Sequence, residues 1–79
     1  MTKEFYTEQF DSMIAQAKKL VADGKDPASF AFGIANACAD FAEFEVQTGD
    51  FEMAAWLFNE GKRRIAEFTE WAAGGKKSV

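Results

Sequence analysis

Apolar residues recur at helical spacing along most of this chain. Between Phe5 and Val21, the residues Tyr6, Phe10, Met13, Ile14, Ala17, Leu20 and Val21 fall on one face of a helix. Thr2 can cap its first amides, Glu4 suits the positive end of the helix dipole, and Lys18 and Lys19 suit the negative end. Gly24 follows as a left-handed stop, and Asp26-Pro27 restarts a helix, because proline at a first helical position forfeits no hydrogen bond. So short a connection predicts an antiparallel hairpin.

The second helix carries two rows. Phe30, Ile34, Ala37, Phe41 and Phe44 form its large apolar stripe. Ala31, Ala35, Cys38 and Ala42 form a parallel row of small residues that should let a neighbouring helix approach closely. Gly33 costs about 1 kcal/mol relative to alanine inside a helix, which suggests close packing or a slight kink there. Thr48-Gly49-Asp50 reads as turn, stop and next cap. The third helix then places Phe51, Ala54, Ala55, Phe58, Ile65, Phe68 and Ala72 on one face, flanked by Met53, Leu57 and Trp71. That arc is wider than one partner helix requires. The pattern predicts an all-α three-helix bundle in a single domain, with helices over about 3–23, 27–48 and 50–73 and a frayed tail over 74–79.

Composition narrows the chemistry. Twelve of 79 residues are aromatic, nine of them Phe, with one Cys and no His. The side chain that most often moves protons or binds metals near neutral pH is therefore missing. One Cys allows no intrachain disulfide, so a domain this small is left with association as its common means of extra stabilisation. A lone thiol and no signal peptide point to the cytoplasm, and no apolar run approaches the roughly 18 residues of a membrane span. Net charge is −4. Residues 25–60 hold one base against seven acids, whereas 61–79 hold five bases against two acids. The acidic middle argues against nucleic-acid binding, which needs phosphate neutralisation.

Residues 35–68 resemble one tetratricopeptide repeat, a helix-turn-helix unit of 34 residues. Phe41-Ala42 stands at its large-then-small pair, Gly49-Asp50-Phe51 at its turn, and Ala54, Phe58 and Gly61 at its small, aromatic and small positions. Glu45, Cys38 and Ala66 depart from the pattern, which has an aromatic, a Trp or other large residue, and a Pro there. Residues 1–34 form no second copy. The resemblance implies protein or peptide binding without catalysis.

Several candidates reduce to structural readings. Cys38, in Ala-Asn-Ala-Cys-Ala, has no neighbouring base or cation and reads as a small buried hydrophobe. Asp40 and Glu43, one turn apart on one helix face, and Glu45, which points elsewhere, read as solvated, and Lys62-Arg63-Arg64 as surface charge pairing, Arg63 with Glu67 for example. No catalytic, cofactor or metal residue is expected. The aromatics off the core stripes stand out: Phe5 among polar residues, Phe32 beside Asn36 and Glu43, and Trp56 among Glu52, Asn59, Glu60 and Arg63. With Met53 and Trp71 they are the expected interface residues, and Trp56 is the first choice, a side chain that the core does not need. The expected function is a non-enzymatic protein–protein interaction module (an adaptor, inhibitor or small subunit), partnered by itself as a homodimer or higher oligomer, or by another protein. Two alternatives are an oligomer that encloses a small ligand between aromatic and Lys/Arg side chains, and an acidic mimic of nucleic acid. The mimic requires Asp40, Glu43, Asp50, Glu52 and Glu60 on one surface.

Overall fold

Each helix begins where a side-chain oxygen takes up an orphan amide. In the computed structural model, which describes residues 1–74, these helices are α1 (Lys3–Ala22), α2 (Pro27–Gln47) and α3 (Phe51–Ala73). Thr2 Oγ1 accepts from Phe5 N at 3.1 Å, Asp26 Oδ1 from Ala28 N at 3.1 Å, and Asp50 Oδ1 from Met53 N at 3.0 Å. Both turns close in the same way. Gly24 (φ 101°) and Gly49 (φ 88°) sit in the left-handed region. The amides of Lys25 and Asp50 donate back to the carbonyls of Leu20 and Glu45 at 3.0 and 2.8 Å. The tail expected over 74–79 lies almost wholly outside the described residues.

The three helices form a bundle of 40 × 19 × 15 Å, with α2 and α3 paired far more intimately than either is with α1. Residue size explains the difference. Cys38 and Ala42 on α2 face Ala54 and Gly61 on α3, all buried. A Cβ on Gly61 would overlap Cys38 Sγ and stand 3.0 Å from Cys38 Cβ. The expected small row therefore does seat a neighbour, through its Cys38 and Ala42. In contrast, α1 is held off by bulk. Tyr6 and Phe10 are fully buried and meet Phe41 at ring-centre distances of 5.0 and 5.8 Å. Ala17, Val21, Ile34, Leu57 and Phe68 complete the core between the helices.

Four expectations need correction. Gly33 is exposed and a Cβ there would meet nothing within 4 Å, so it marks no close packing. Glu45, read as solvated, is 3 % exposed. The third helix is rotated from its expected seating by roughly half of the 100° step between successive residues. Its inward line is Ala54, Leu57, Gly61 and Phe68, which turns Phe51 and Phe58 out to solvent. Phe44 of α2 is likewise exposed. The rotation has a cause: the closest approach of two helices runs along the smallest side chains, here the Cys38–Gly61 line, not along the largest ones. Among the described residues, no helix is long and apolar enough to cross a membrane.

Candidate interaction surface

The outward rotation of α3 builds an apolar face. On α3, Phe51, Ala55, Phe58, Lys62 and Ala66 recur every three or four residues and all are exposed. On α2, Phe32, Ala35, Ala39, Glu43 and Val46 make the matching exposed row. Helix α1 lies on the other side of the α2–α3 hairpin. It meets α2 through Phe41, and α3 through the Asp11–Arg64 ion pair and the Arg64 guanidinium 5.7 Å above the Phe10 ring. The two rows are thus left uncovered, with Phe51 at 66 %, Phe32 at 57 % and Phe58 at 55 % exposure. A shallow groove of about 370 Å³ joins them, lined by Ala35 and Cys38 from α2 and by Phe58, Gly61, Lys62 and Ile65 from α3.

Each row contains one charge. Glu43 accepts a 3.4 Å hydrogen bond from Gln47 Nε2, on its own helix. Lys62 enters no ion pair among the described residues, whereas its neighbours Arg63 and Arg64 are engaged. Arg63 holds Glu60 at 2.6 Å and Glu67 at 2.9 Å, and Arg64 reaches Glu60 at 3.1 Å and Asp11. The Arg63 guanidinium holds the Glu60 carboxyl below the usual carboxylate range, with partial burial opposing it and Arg64 assisting.

The expected interface residues separate into two groups. Phe32 does point to solvent, on the new face. Phe5 sits at the edge of exposure with its ring edge-on to Tyr6, 5.5 Å between centres. Trp56, Met53 and Trp71 are instead half-buried and packed against the core. Trp56 lies under the Lys3 ammonium at 5.5 Å, so the core does use it, contrary to the sequence reading. Trp71 stacks on Phe68 at 5.8 Å beneath the Lys18 ammonium, and its buried Nε1 has no partner among the described residues. Phe51, Phe58 and Val46 were missed as surface residues. Their signal was present: Gly61 and Ala54, taken as the contact line, would have set the correct rotation.

A second polar feature lies away from this face. Tyr6 Oη donates to Glu45 Oε2, joining α1 to the C-terminal end of α2. Burial, then the hydrogen bond and charge of Glu45, raise the tyrosine far above its ordinary range, so it stays a donor. Between α1 and α3 runs a groove of about 510 Å³, bordered by Ile14, Phe68, Lys18, Lys19 and Arg64. The Cys38 thiol donates to Leu57 O at 3.1 Å, and burial raises it, the Gly61 amide only partly offsetting the effect. That is an inert setting for a thiol. Of the five acids named for nucleic-acid mimicry, Glu60 is neutralised by two arginines and Asp50 is spent as a helix cap. Among the described residues, no group of three His, Cys, Asp or Glu side chains is placed to hold a metal. Comparison of the chain with protein-family models, curated proteins and solved structures found no match in any of the three.

Proposed function

We propose that this protein is a non-enzymatic protein–protein interaction module that docks through the outer α2–α3 face and associates with itself. One observation carries the reading: three phenylalanines more than half exposed, with Val46, on the side of the hairpin that α1 leaves bare. A phenylalanine offers roughly 200 Å², so these side chains alone present on the order of 400 Å². A typical monomer's largest apolar patch is about 300–600 Å², and such patches are often functional. Phe32 and Phe51 lie towards opposite ends of the face, so the gain on association is set by how many of these rings a second copy covers, not by their summed area. Association costs about 4–15 kcal/mol in lost freedom. Sedimentation from about 1 to 100 µM tests the reading. The wild type should sediment as a dimer or larger species and Phe58→Asp as a folded monomer. A wild type that stays monomeric and helical throughout that range overturns self-association.

The α2–α3 hairpin is the segment that resembles a tetratricopeptide unit, a resemblance that favours binding over catalysis. Placement in a reducing cytoplasm is part of the same proposal, supported by the single, buried Cys38. The α1–α3 groove supports a second reading, a small anionic ligand held by Lys18 and Lys19 above Ile14 and Phe68. Quenching or enhancement of Trp71 fluorescence on titration with organic phosphates and carboxylates would favour it.

A further inference from the structure

We propose that the groove between α1 and α3 binds one organic anion with an apolar body, its head at Lys18 and Lys19 and its body over Ile14 and Ala15. The inference rests on the second reading given above for that groove, and adds the class of ligand, its direction and the residue that makes room for it. The two helices run parallel in a single register, with Lys3 against Trp56, Asp11 against Arg64 and Lys18 against Trp71. The last two contacts bound the groove at its ends. Between them α1 presents Ala15, exposed and too short to reach across. From Asp11 to Lys18, roughly 10 Å at 1.5 Å per residue, the space between the helices is therefore left unfilled. It measures about 510 Å³ over a floor of Ile14 and the buried Phe68, within the roughly 300–1,000 Å³ of small-molecule sites.

Charge decides the head group and the direction. Both acids of the groove are paired, Asp11 with Arg64 and Glu67 with Arg63 at 2.9 Å. Arg64 is itself divided between Asp11 and Glu60. Lys18 and Lys19 are the charges that remain, and neither enters an ion pair among the described residues. The Trp71 ring lies 5.3 Å from the Lys18 ammonium and attracts it without neutralising it. Two unopposed ammoniums at one end of a groove favour an anion there, although the chain as a whole is at −4. Trp71 adds a donor at the same end: it stacks on Phe68, and its buried Nε1 has no partner among the described residues. A cationic ligand would find no free carboxylate in the groove. An inorganic anion would leave the apolar floor to water. A bound amphiphile touches α1 and α3 together, so it also holds α1 to the hairpin.

The test is a titration of the full chain with octanoate, followed by NMR. The amides of Ala15, Lys18 and Lys19 and the Trp71 indole proton should shift together along one saturating curve. Octylamine, with the same body and the opposite charge, and inorganic phosphate, with charge and no body, should each bind at least about tenfold more weakly. Lys18→Gln/Lys19→Gln should weaken octanoate by about tenfold or more. Ala15→Leu fills the groove from an exposed position that suits a good helix former, and should abolish binding with the fold intact by circular dichroism. Lys25→Gln, beyond α1, should change nothing. At octanoate about ten times its Kd, opening of α1 should fall about elevenfold, read as slower amide exchange, because the ligand holds only the closed form. If phosphate binds as tightly as octanoate and Ala15→Leu affects neither, the amphiphile is overturned and an anion site in the groove stands. If octylamine matches octanoate, or if Phe58→Asp removes binding and Ala15→Leu does not, the apolar body lies elsewhere and the proposal is overturned. If octanoate up to about 10 mM moves none of these resonances, the anionic reading of the groove falls with it.

Discussion

Removing one oxygen atom from Tyr6 should cost this bundle about half of its stability. Tyr6→Phe deletes the hydroxyl that donates to Glu45 and leaves the ring where it is, 1 % exposed and packed on Phe41. The carboxylate left behind is 3 % exposed. A hydrogen bond to a charged group contributes roughly 1.5–3 kcal/mol, and the buried carboxylate then keeps only the Met1 ammonium, 3.8 Å away, against its desolvation cost. The expected loss is about 2–3 kcal/mol, against roughly 3–5 kcal/mol available to a core of this size. With a urea slope of about 1 kcal/mol per molar, the midpoint should fall by about 2 M at fixed protein concentration. Glu45→Leu alone strands the tyrosine hydroxyl and should also cost more than about 1 kcal/mol. The double variant Tyr6→Phe/Glu45→Leu, with neither polar group, should recover most of either loss. A midpoint within about 0.5 M of wild type for Tyr6→Phe would mean that water solvates Glu45. Additive losses in the double variant would refute the coupling.

Four further outcomes are expected. Gly33→Ala should stabilise by about 1 kcal/mol, since its Cβ meets nothing and the helix gains propensity; Gly49→Ala, at φ 88°, should cost about 1–2 kcal/mol. Both are read by urea titration. Trp56→Ala should destabilise by about 1–3 kcal/mol, with melting temperature as the readout, because the ring is packed against the core. Glu60 has a lowered folded-state carboxyl, so its contribution is complete above the unfolded value of about 4.3 and is lost as pH falls below it. The stability gap between wild type and Glu60→Gln should therefore narrow on acidification from about pH 5 to pH 3, measured by thermal melts. A gap that widens refutes the Arg63–Glu60 reading.

The helices, their caps and both turns were legible because the signals are local. Thr2, Asp26 and Asp50 cap from side chains within three residues of the amide they serve, and Gly24 and Gly49 mark positions closed to most other residues. The first helix's buried face was legible too, since its apolar residues are large and its other face is polar. The rotation of α3 was not. It is apolar over more than half its circumference, so periodicity leaves several seatings open, and tertiary contact with Cys38 and Ala42 chooses among them. A count of bulk favours Phe51 and Phe58 inward, whereas close approach favours Gly61. Glu45 was hidden for a related reason: its partner Tyr6 lies 39 positions away, and nothing near Glu45 signals burial.

The unequal spacing of the helices has a consequence for how the molecule comes apart. The α2–α3 hairpin is joined by a short turn and locked where Cys38 meets Gly61, so its contacts close over short stretches of chain. Helix α1 is attached through long side chains: two aromatic rings, the Tyr6–Glu45 bond and the Asp11–Arg64 pair. Such an element detaches before the pair beneath it. Amide hydrogen exchange should then divide the protein into two cooperative units, with α1 exchanging first and the interior amides of α2 and α3 last. Opening of α1 would bare a second apolar side of the hairpin while the outer face stays as it was. A population with α1 lifted could therefore capture the α1 of another copy, and exchange of this helix would then link copies at high concentration.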